Sequence, residues 1–321
     1  MKKGKHLPVD LTQGAGDCYG LSLSDGTTWR LSGVKEYAQW VDELATIMEL
    51  KQTGLNGAPR LVFYGSGPTG VRSPEALDAM LLETLATVSK DGWECVDYNT
   101  LRIWSHNENA DIVCELKHDD VTDIKFLNMW MALQPIYERS IQRGGLPFHA
   151  ALADLNGKGV LLVGSGDKGK TTCYNRLREP WLGLCDDELL VVLDKDGEYR
   201  VHPFPTWSDY LLKRSVKTWN VQYSVPLAGA FFIEKSEIDE VISLGEGQAA
   251  VLMTESATEI CQKFWKGPDK RRHKKSKEEL FNNACEVAKK TPAYRLRVSV
   301  EGRFWEKVEE ALGWPTEDDS A

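Results

Sequence analysis

The chain has 321 residues, 42% of them hydrophobic and 27% charged, the proportions of a globular protein of about two domains. A net charge of −9 excludes general nucleic-acid binding through a basic surface, and no apolar run reaches the length of a membrane span. The seven cysteines, at 18, 95, 114, 173, 185, 261 and 285, are odd in number and form no Cys-x-x-Cys pair, so reduced thiols are expected rather than disulfides or a zinc site.

From the amino terminus, the basic start Met1-Lys2-Lys3-Gly4-Lys5 is followed by no apolar signal core, which predicts a cytoplasmic protein. Residues 18–32 read as a hairpin turning at Asp25-Gly26. Tyr37, Trp40, Val41, Leu44, Ile47 and Met48 have helical spacing within 34–50. A short strand is expected at 61–64, and Ser73-Pro74-Glu75 opens a helix running to about Ser89, with Ser73 as its cap. Residues 93–98, 101–105 and 112–116 read as strands. One long amphipathic helix is predicted over 122–143, ended by Gly144-Gly145. Residues 1–145 thus form a small α+β domain with no recognisable catalytic motif.

A second domain, 146–315, is expected to be α/β. Strands are predicted at 148–154, 159–164, 188–193, 198–202, 228–233 and 295–300, and helices at 169–178, 247–265, 276–289 and 302–312. The continuously apolar run at 228–233 is that of a buried strand, and parallel pairing is expected around it. The stretch from Lys263 to Lys277 is rich in Lys and Arg around Gly267-Pro268. It reads either as a solvated helix start or as an arm for an acidic peptide or ATP phosphates. The eleven tryptophans are expected to be core anchors, with a stacking platform as the alternative.

Between the strand at 159–164 and the helix at 169–178 lies Gly164-Ser165-Gly166-Asp167-Lys168-Gly169-Lys170-Thr171, which fits G-x-x-x-x-G-K-[ST]. In that context, glycines let backbone N–H groups turn in around a phosphate, and the helix start adds partial positive charge. Lys170 would reach the β- and γ-phosphates of ATP, the Thr171 hydroxyl would bind Mg²⁺, and Thr172 completes the candidate phosphate-contacting set. The bland alternative is a Gly-rich strand-to-helix turn that binds nothing.

Sixteen residues beyond Lys170 come Cys185-Asp186-Asp187-Glu188. Near a phosphate loop, one carboxylate suits Mg²⁺, which prefers hard oxygen ligands, and the other can take a proton from an attacking hydroxyl. The alternative is a solvated acidic turn. His149 lies on the preceding strand, and a hairpin turning at Asn156-Gly157 would bring it back towards the phosphate end of its partner. There it could orient a carboxylate or touch phosphate, or it could be an ordinary strand histidine.

Phe148-His149-Ala150-Ala151, Gly159 to Gly164, Gly169-Lys170-Thr171 and Asp186-Asp187 together resemble the core of the HPr kinase/phosphorylase family. The resemblance covers roughly 147–200. It implies a phosphoenolpyruvate carboxykinase/HPr kinase-like P-loop core. By residue it implies Lys170 and Thr171 on phosphates and metal, Asp186 as the base, Asp187 with Mg²⁺, and His149 supporting the pair. Thr172-Cys173, Trp181, Leu184 to Glu188 and His202-Pro203-Phe204-Pro205-Thr206-Trp207-Ser208-Asp209 resemble more closely the ScmC-type proteins of SynChlorMet cassettes. That likeness implies work on a small ribosomal peptide beside PqqD-like and radical-SAM proteins. Three departures from the HPr enzymes stand out, one of them an amino-terminal part that does not match theirs. Asp167 occupies a position that is usually small, and the segment carrying their further metal-binding glutamate has no counterpart.

The segment from His202 to Asp209 takes that place and is the substrate-side candidate, through His202, Trp207, Ser208 and Asp209. Its prolines stiffen the backbone, while Ser208 and Asp209 could equally cap a helix. The function expected is Mg²⁺–ATP-dependent transfer of phosphate to a Ser or Thr hydroxyl of a peptide or small protein. The alternatives are a non-catalytic nucleotide-binding or peptide-delivery module and a kinase of free serine or another metabolite. A homo-oligomer is compatible with the resemblance.

Overall fold

The computed structural model describes residues 18–33, 37–53, 57–65, 93–98, 100–106, 109–116, 122–166, 168–212, 217–265 and 270–315. The helix expected at 73–89 lies outside them, as does Asp167. Contacts divide the described residues into two compact units. The first draws on Met1–Ser22, Thr28–Pro135 and Trp207–Thr218, and the second on Leu23–Thr27, Ile136–Thr206 and Trp219–Ala321. The boundary expected after residue 145 falls inside the second unit, in the turn following Gln142. Among the described residues no helix is long and apolar enough to cross a membrane, and no disulfide forms.

The first unit is built on a seven-stranded sheet, in the order β3-β1-β2-β4-β7-β6-β5. Its strands are β1 Tyr19–Ser22, β2 Thr28–Gly33, β3 Lys51–Gln52, β4 Arg60–Gly65, β5 Trp93–Asp97, β6 Leu101–His106 and β7 Asn109–Leu116. Helix α1, Ala38–Ile47, buries Trp40, Val41, Leu44, Ala45 and Ile47, the stripe that its 3.6-residue spacing predicts. The ring of Trp40 meets that of Phe63 on β4 at 4.7 Å.

The single helix expected over 122–143 is instead two, α2 Thr122–Met131 and α3 Gln134–Gln142. Pro135 is the physical reason. It lacks the N–H that would bond back into α2, and it is tolerated in the first turn of α3, where that N–H has no helical partner.

The second, larger unit is a mixed sheet with flanking helices. Its eight strands are β8 Leu146–Leu155, β9 Lys158–Val163, β10 Leu182–Cys185, β11 Glu188–Leu193, β12 Tyr199–Pro203, β13 Val225–Lys235, β14 Glu240–Ser243 and β15 Ala293–Val298. The parallel pairing expected around 228–233 is present on both sides of β13, within a sheet that is otherwise antiparallel. Only β9–β13 and β13–β15 pair in parallel; every other pair is antiparallel. The hairpins β8–β9 and β11–β12 impose two of the antiparallel pairs, because short connections cannot return a strand in parallel. β8 and β13 are long enough to serve two sets of neighbours. β9 pairs with both along one stretch, and β11 and β12 link them along another.

The apolar body of this unit includes Ala151, Leu162, Cys173, Trp181, Phe231, Leu296, Phe304 and Val308, all buried. Helices α4 Lys170–Arg176, α6 Glu246–Cys261, α7 Lys270–Lys290 and α8 Phe304–Leu312 belong here, and the short α5 Trp207–Leu211 belongs to the first unit. A 3₁₀ turn, Gln262–Phe264, follows α6.

Candidate functional site

The geometry begins with one two-residue turn. Asn156 and Gly157 have φ values of 52° and 79°, the left-handed pair that closes a type I′ hairpin with the twist of its strands. The Asp154 carboxylate accepts the Gly157 N–H at 2.7 Å. This turn sets the β8–β9 register, pairing Leu155 with Lys158 and, at the far end, Ala150 with Val163. His149 therefore lies one residue beyond the last pair, beside Gly164.

The other edge of β8 receives β10 and β11 in succession. Leu152 pairs with Cys185 and His149 with Glu188. Between those pairs, Asp186-Asp187 bends along Ala150-Ala151, and the Ala150 N–H donates to the Asp187 carbonyl at 3.0 Å. Asp187, Ala150 and Val163 thus stand abreast on three neighbouring chains. Two strand spacings separate the outer two backbones, about 10 Å, a span that the intervening side chains can bridge.

On the opposite edge of β8 the ladder with β9 ends at Ala150. The His149 N–H, left out of the ladder there, donates to Ser256 Oγ on α6 at 3.0 Å, as a half-buried backbone donor requires. The ring lies between two carboxylates. Nε2 is 3.1 Å from Asp187 Oδ1, and Nδ1 is 2.6 Å from Glu259 Oε2. Burial opposes charge on this ring. The hydrogen bonds to Asp187 and Glu259 overcome it, and the Lys170 charge with it, and lift His149 above its ordinary value. Carboxylates only accept, so the charged imidazole, which donates from both nitrogens, suits both. For Asp187, burial favours the neutral acid, but the His149 bond and the charges of His149, Lys170 and Lys263 hold it below the ordinary range.

The neighbouring carboxylates are held differently. Asp186 Oδ1 accepts the Thr206 hydroxyl at 2.7 Å. Glu188, 1% exposed, accepts the Tyr137 hydroxyl at 2.9 Å and pairs with Lys263 Nζ. Burial pulls the Lys263 ammonium below its usual value, against the attraction of Glu188. A buried ion pair with its remaining valence satisfied by Tyr137 is the arrangement in which such a pair is tolerable.

The loop leaves the end of β9 at Gly164 and enters α4 at Lys170. Gly169 has φ 105°, a conformation that a residue with a Cβ rarely adopts. At Gly164 a Cβ would lie 2.9 Å from that of Lys168. Lys170 is 7% exposed, and its ammonium donates to the Gly164 carbonyl. Ser165, Gly166, Lys168, Thr171 and Thr172 are exposed.

Of the residues singled out in the sequence, His149, Lys170, Asp186 and Asp187 come together at this junction, with Thr171 one residue into α4. The His202 to Asp209 segment does not present the surface expected of it. His202 is fully buried. Its Nδ1 faces the Val221 carbonyl at 2.8 Å, and its Nε2 accepts the Ser24 N–H at 3.1 Å. That pattern requires a neutral ring with its proton on Nδ1. Burial pushes its pKa down to about 4.

Trp207 is fully buried in the first unit. α5 begins at Trp207, so Ser208 and Asp209 lie in its first turn rather than capping it. Both are half-buried. Three residues at the junction were not foreseen: Ser256, Glu259 and Lys263. Their spacing of three and four is visible in the sequence, but nothing local says which strand that helix face meets.

Among the described residues no cluster of three or more His, Cys, Asp or Glu side chains is disposed to hold a metal by itself. No curated protein matches the chain. The family described as SynChlorMet cassette protein ScmC matches residues 112–313, well over half of the sequence and all of the junction just described. The chain belongs to the ScmC family.

Proposed function

We propose that this protein is an Mg²⁺–ATP-dependent kinase that transfers the γ-phosphoryl group to a Ser or Thr hydroxyl of a peptide or small protein. One observation carries the reading. A buried lysine in a G-x-x-x-x-G-K-[ST] loop lies close enough to Asp187 and His149 for its charge to act on both. A cation, an ionised carboxylate and a second, differently held carboxylate are the groups that phosphoryl transfer needs. The likeness to HPr kinase/phosphorylase supports the reading on the same residues.

The residues present fit a nucleotide and its metal. Mg²⁺ is bound in such sites by one or two carboxylates plus substrate phosphates and water, so a protein cage is not required. Thr171 and Asp187 would hold it, and bound there it would neutralise phosphate charge. Asp187, kept ionised, suits that role. Asp186 has one oxygen engaged by Thr206, and the other would accept the proton. In the transfer, the acceptor oxygen bonds to the γ-phosphorus as its proton passes to Asp186, and the bond to the β–γ bridging oxygen breaks to release ADP. Lys170 would offset charge on the phosphates. Membership in a cassette family favours a ribosomal peptide as acceptor, with PqqD-like and radical-SAM proteins as partners.

Thermal unfolding with and without Mg²⁺–ATP tests the reading. Ligand at about 100 times its dissociation constant adds about 2.7 kcal/mol, so the wild type should melt higher and Lys170→Ala should not respond. A wild type indifferent to Mg²⁺–ATP would overturn the proposal.

A further inference from the structure

One face of α6 and the 3₁₀ turn that continues it carries Ser256, Glu259 and Lys263, spaced i, i+3, i+7. Residues so spaced share a helix face. All three reach the same two cross-strand partners, His149 and Glu188. Ser256 holds the His149 backbone at 3.0 Å, Glu259 holds its ring at 2.6 Å, and Lys263 holds Glu188. The helix therefore grips the strand pair at backbone, ring and carboxylate.

Packing alone does not explain Glu259. The buried stripe of α6 is Ala249, Ala250, Met253, Ser256, Ala257, Ile260 and Cys261. The Glu259 side chain is 35% exposed and contributes no core volume. What it does contribute is orientation. A carboxylate on one ring nitrogen fixes both the rotation of an imidazole and the direction of the other nitrogen.

We propose that Glu259 is a positioning residue for the acidic pair: by holding Nδ1 of His149 it aims Nε2 at Asp187 Oδ1, 3.1 Å away, and so fixes the Asp187 carboxylate. The inference rests on the phosphoryl-transfer reading for its consequence but not for its geometry. Two measurements on the full chain separate them. The first is Mg²⁺–ATP turnover with water as acceptor. Glu259→Ala lowers kcat by about tenfold or more, with KM for Mg²⁺–ATP unchanged within about twofold. Glu259→Gln, which still accepts from Nδ1 through its amide oxygen, recovers most of the rate.

The second is the imidazole N–H signal of His149 in protein labelled with ¹⁵N at histidine, assigned by its loss in His149→Gln. Glu259→Ala loses the hydrogen-bonded Nδ1–H resonance and Glu259→Gln keeps it. An unchanged kcat in Glu259→Ala overturns the inference, as does a Gln variant no better than Ala. If the wild type turns over no ATP without a peptide acceptor, the thermal shift still judges the kinase reading, and the resonance decides alone: its persistence in Glu259→Ala overturns the positioning role.

Discussion

The regions around His149 and His202 hold their histidines to opposite ends. His149 lies between the carboxylates of Asp187 and Glu259, and its pKa is raised. His202 lies between a carbonyl that accepts and an N–H that donates, and its pKa falls to about 4. Both rings are substantially buried, so burial alone does not decide their charge. The kind of partner does: two acceptors favour the imidazolium, whereas one acceptor and one donor fix the neutral tautomer. A charged ring beside acidic side chains can organise polar chemistry. A neutral ring with both nitrogens occupied holds two chain segments together.

The largest expected effect is on the His149 side. Asp186→Asn leaves the Thr206 hydrogen bond possible but removes the proton acceptor, and should lower Mg²⁺–ATP turnover by about 10²–10⁴-fold, with the thermal shift by Mg²⁺–ATP retained. Undiminished turnover would remove Asp186 from the chemistry. Next in size is the buried pair behind it. Lys263→Met strands Glu188, which is 1% exposed, and should cost about 3–5 kcal/mol in urea unfolding. The double variant Lys263→Met, Glu188→Gln should regain most of that. A double variant as unstable as the single one would mean that Lys263 contributes packing rather than charge balance.

These residues show what the sequence could and could not tell. The relation of the loop to His149 was legible because it depends on one short turn and one continuous stretch of β8 and β9, whereas the acidic pair reaches them through β10 and β11 on the other edge of β8. The Asn156-Gly157 signal is local and strong. β10 and β14 were missed because Leu182 and Gly183 are exposed and β14 is half-polar, so neither shows the alternation of a strand with one buried face. Lys263 belongs in sequence to the basic run after it, and Glu259 falls unmarked within the helix expected at 247–265. Each meets its partner across a long stretch of chain, and helical periodicity names a face without naming what it packs on. His202 misled for the complementary reason. Proline and tryptophan around a histidine look like a recognition segment, yet the same residues pack equally well into a core.

His202 also gives the comparison a pH test. The unfolded chain protonates this ring near pH 6.5, the folded one only near about 4. Between those values the unfolded state binds more protons, so stability rises with pH there and is lost on acidification, by up to about 3 kcal/mol below the folded value. His149 works the other way. Its folded pKa is raised, so its contribution is full below the unfolded value and is lost as pH rises through the folded one. Urea unfolding across pH 4 to 6.5 should therefore lose its slope in His202→Gln more than in His149→Gln. Equal slopes in the two variants would contradict the opposite assignments.

The smallest effect concerns the turn that aligns one side of the comparison. Gly157 has φ 79°, and a Cβ there meets nothing within 4 Å, so Gly157→Ala introduces backbone strain without a clash. Left-handed backbone costs an alanine about 1–2 kcal/mol, and a loss near the lower figure lowers the melting temperature of a unit this size by about 2–4 °C. The strand pairs on both sides of the turn survive, so Ala150 stays opposite Val163 and Mg²⁺–ATP should raise the melting point as it does in the wild type. A larger loss, with the Mg²⁺–ATP response gone, would show that the hairpin register is held by its turn rather than by its buried face. A register slip of one residue turns every side chain of the moving strand to the opposite face. His149 would then be separated from Asp187 or from the loop, and the acidic pair would lose its imidazole with no change to any residue in the site.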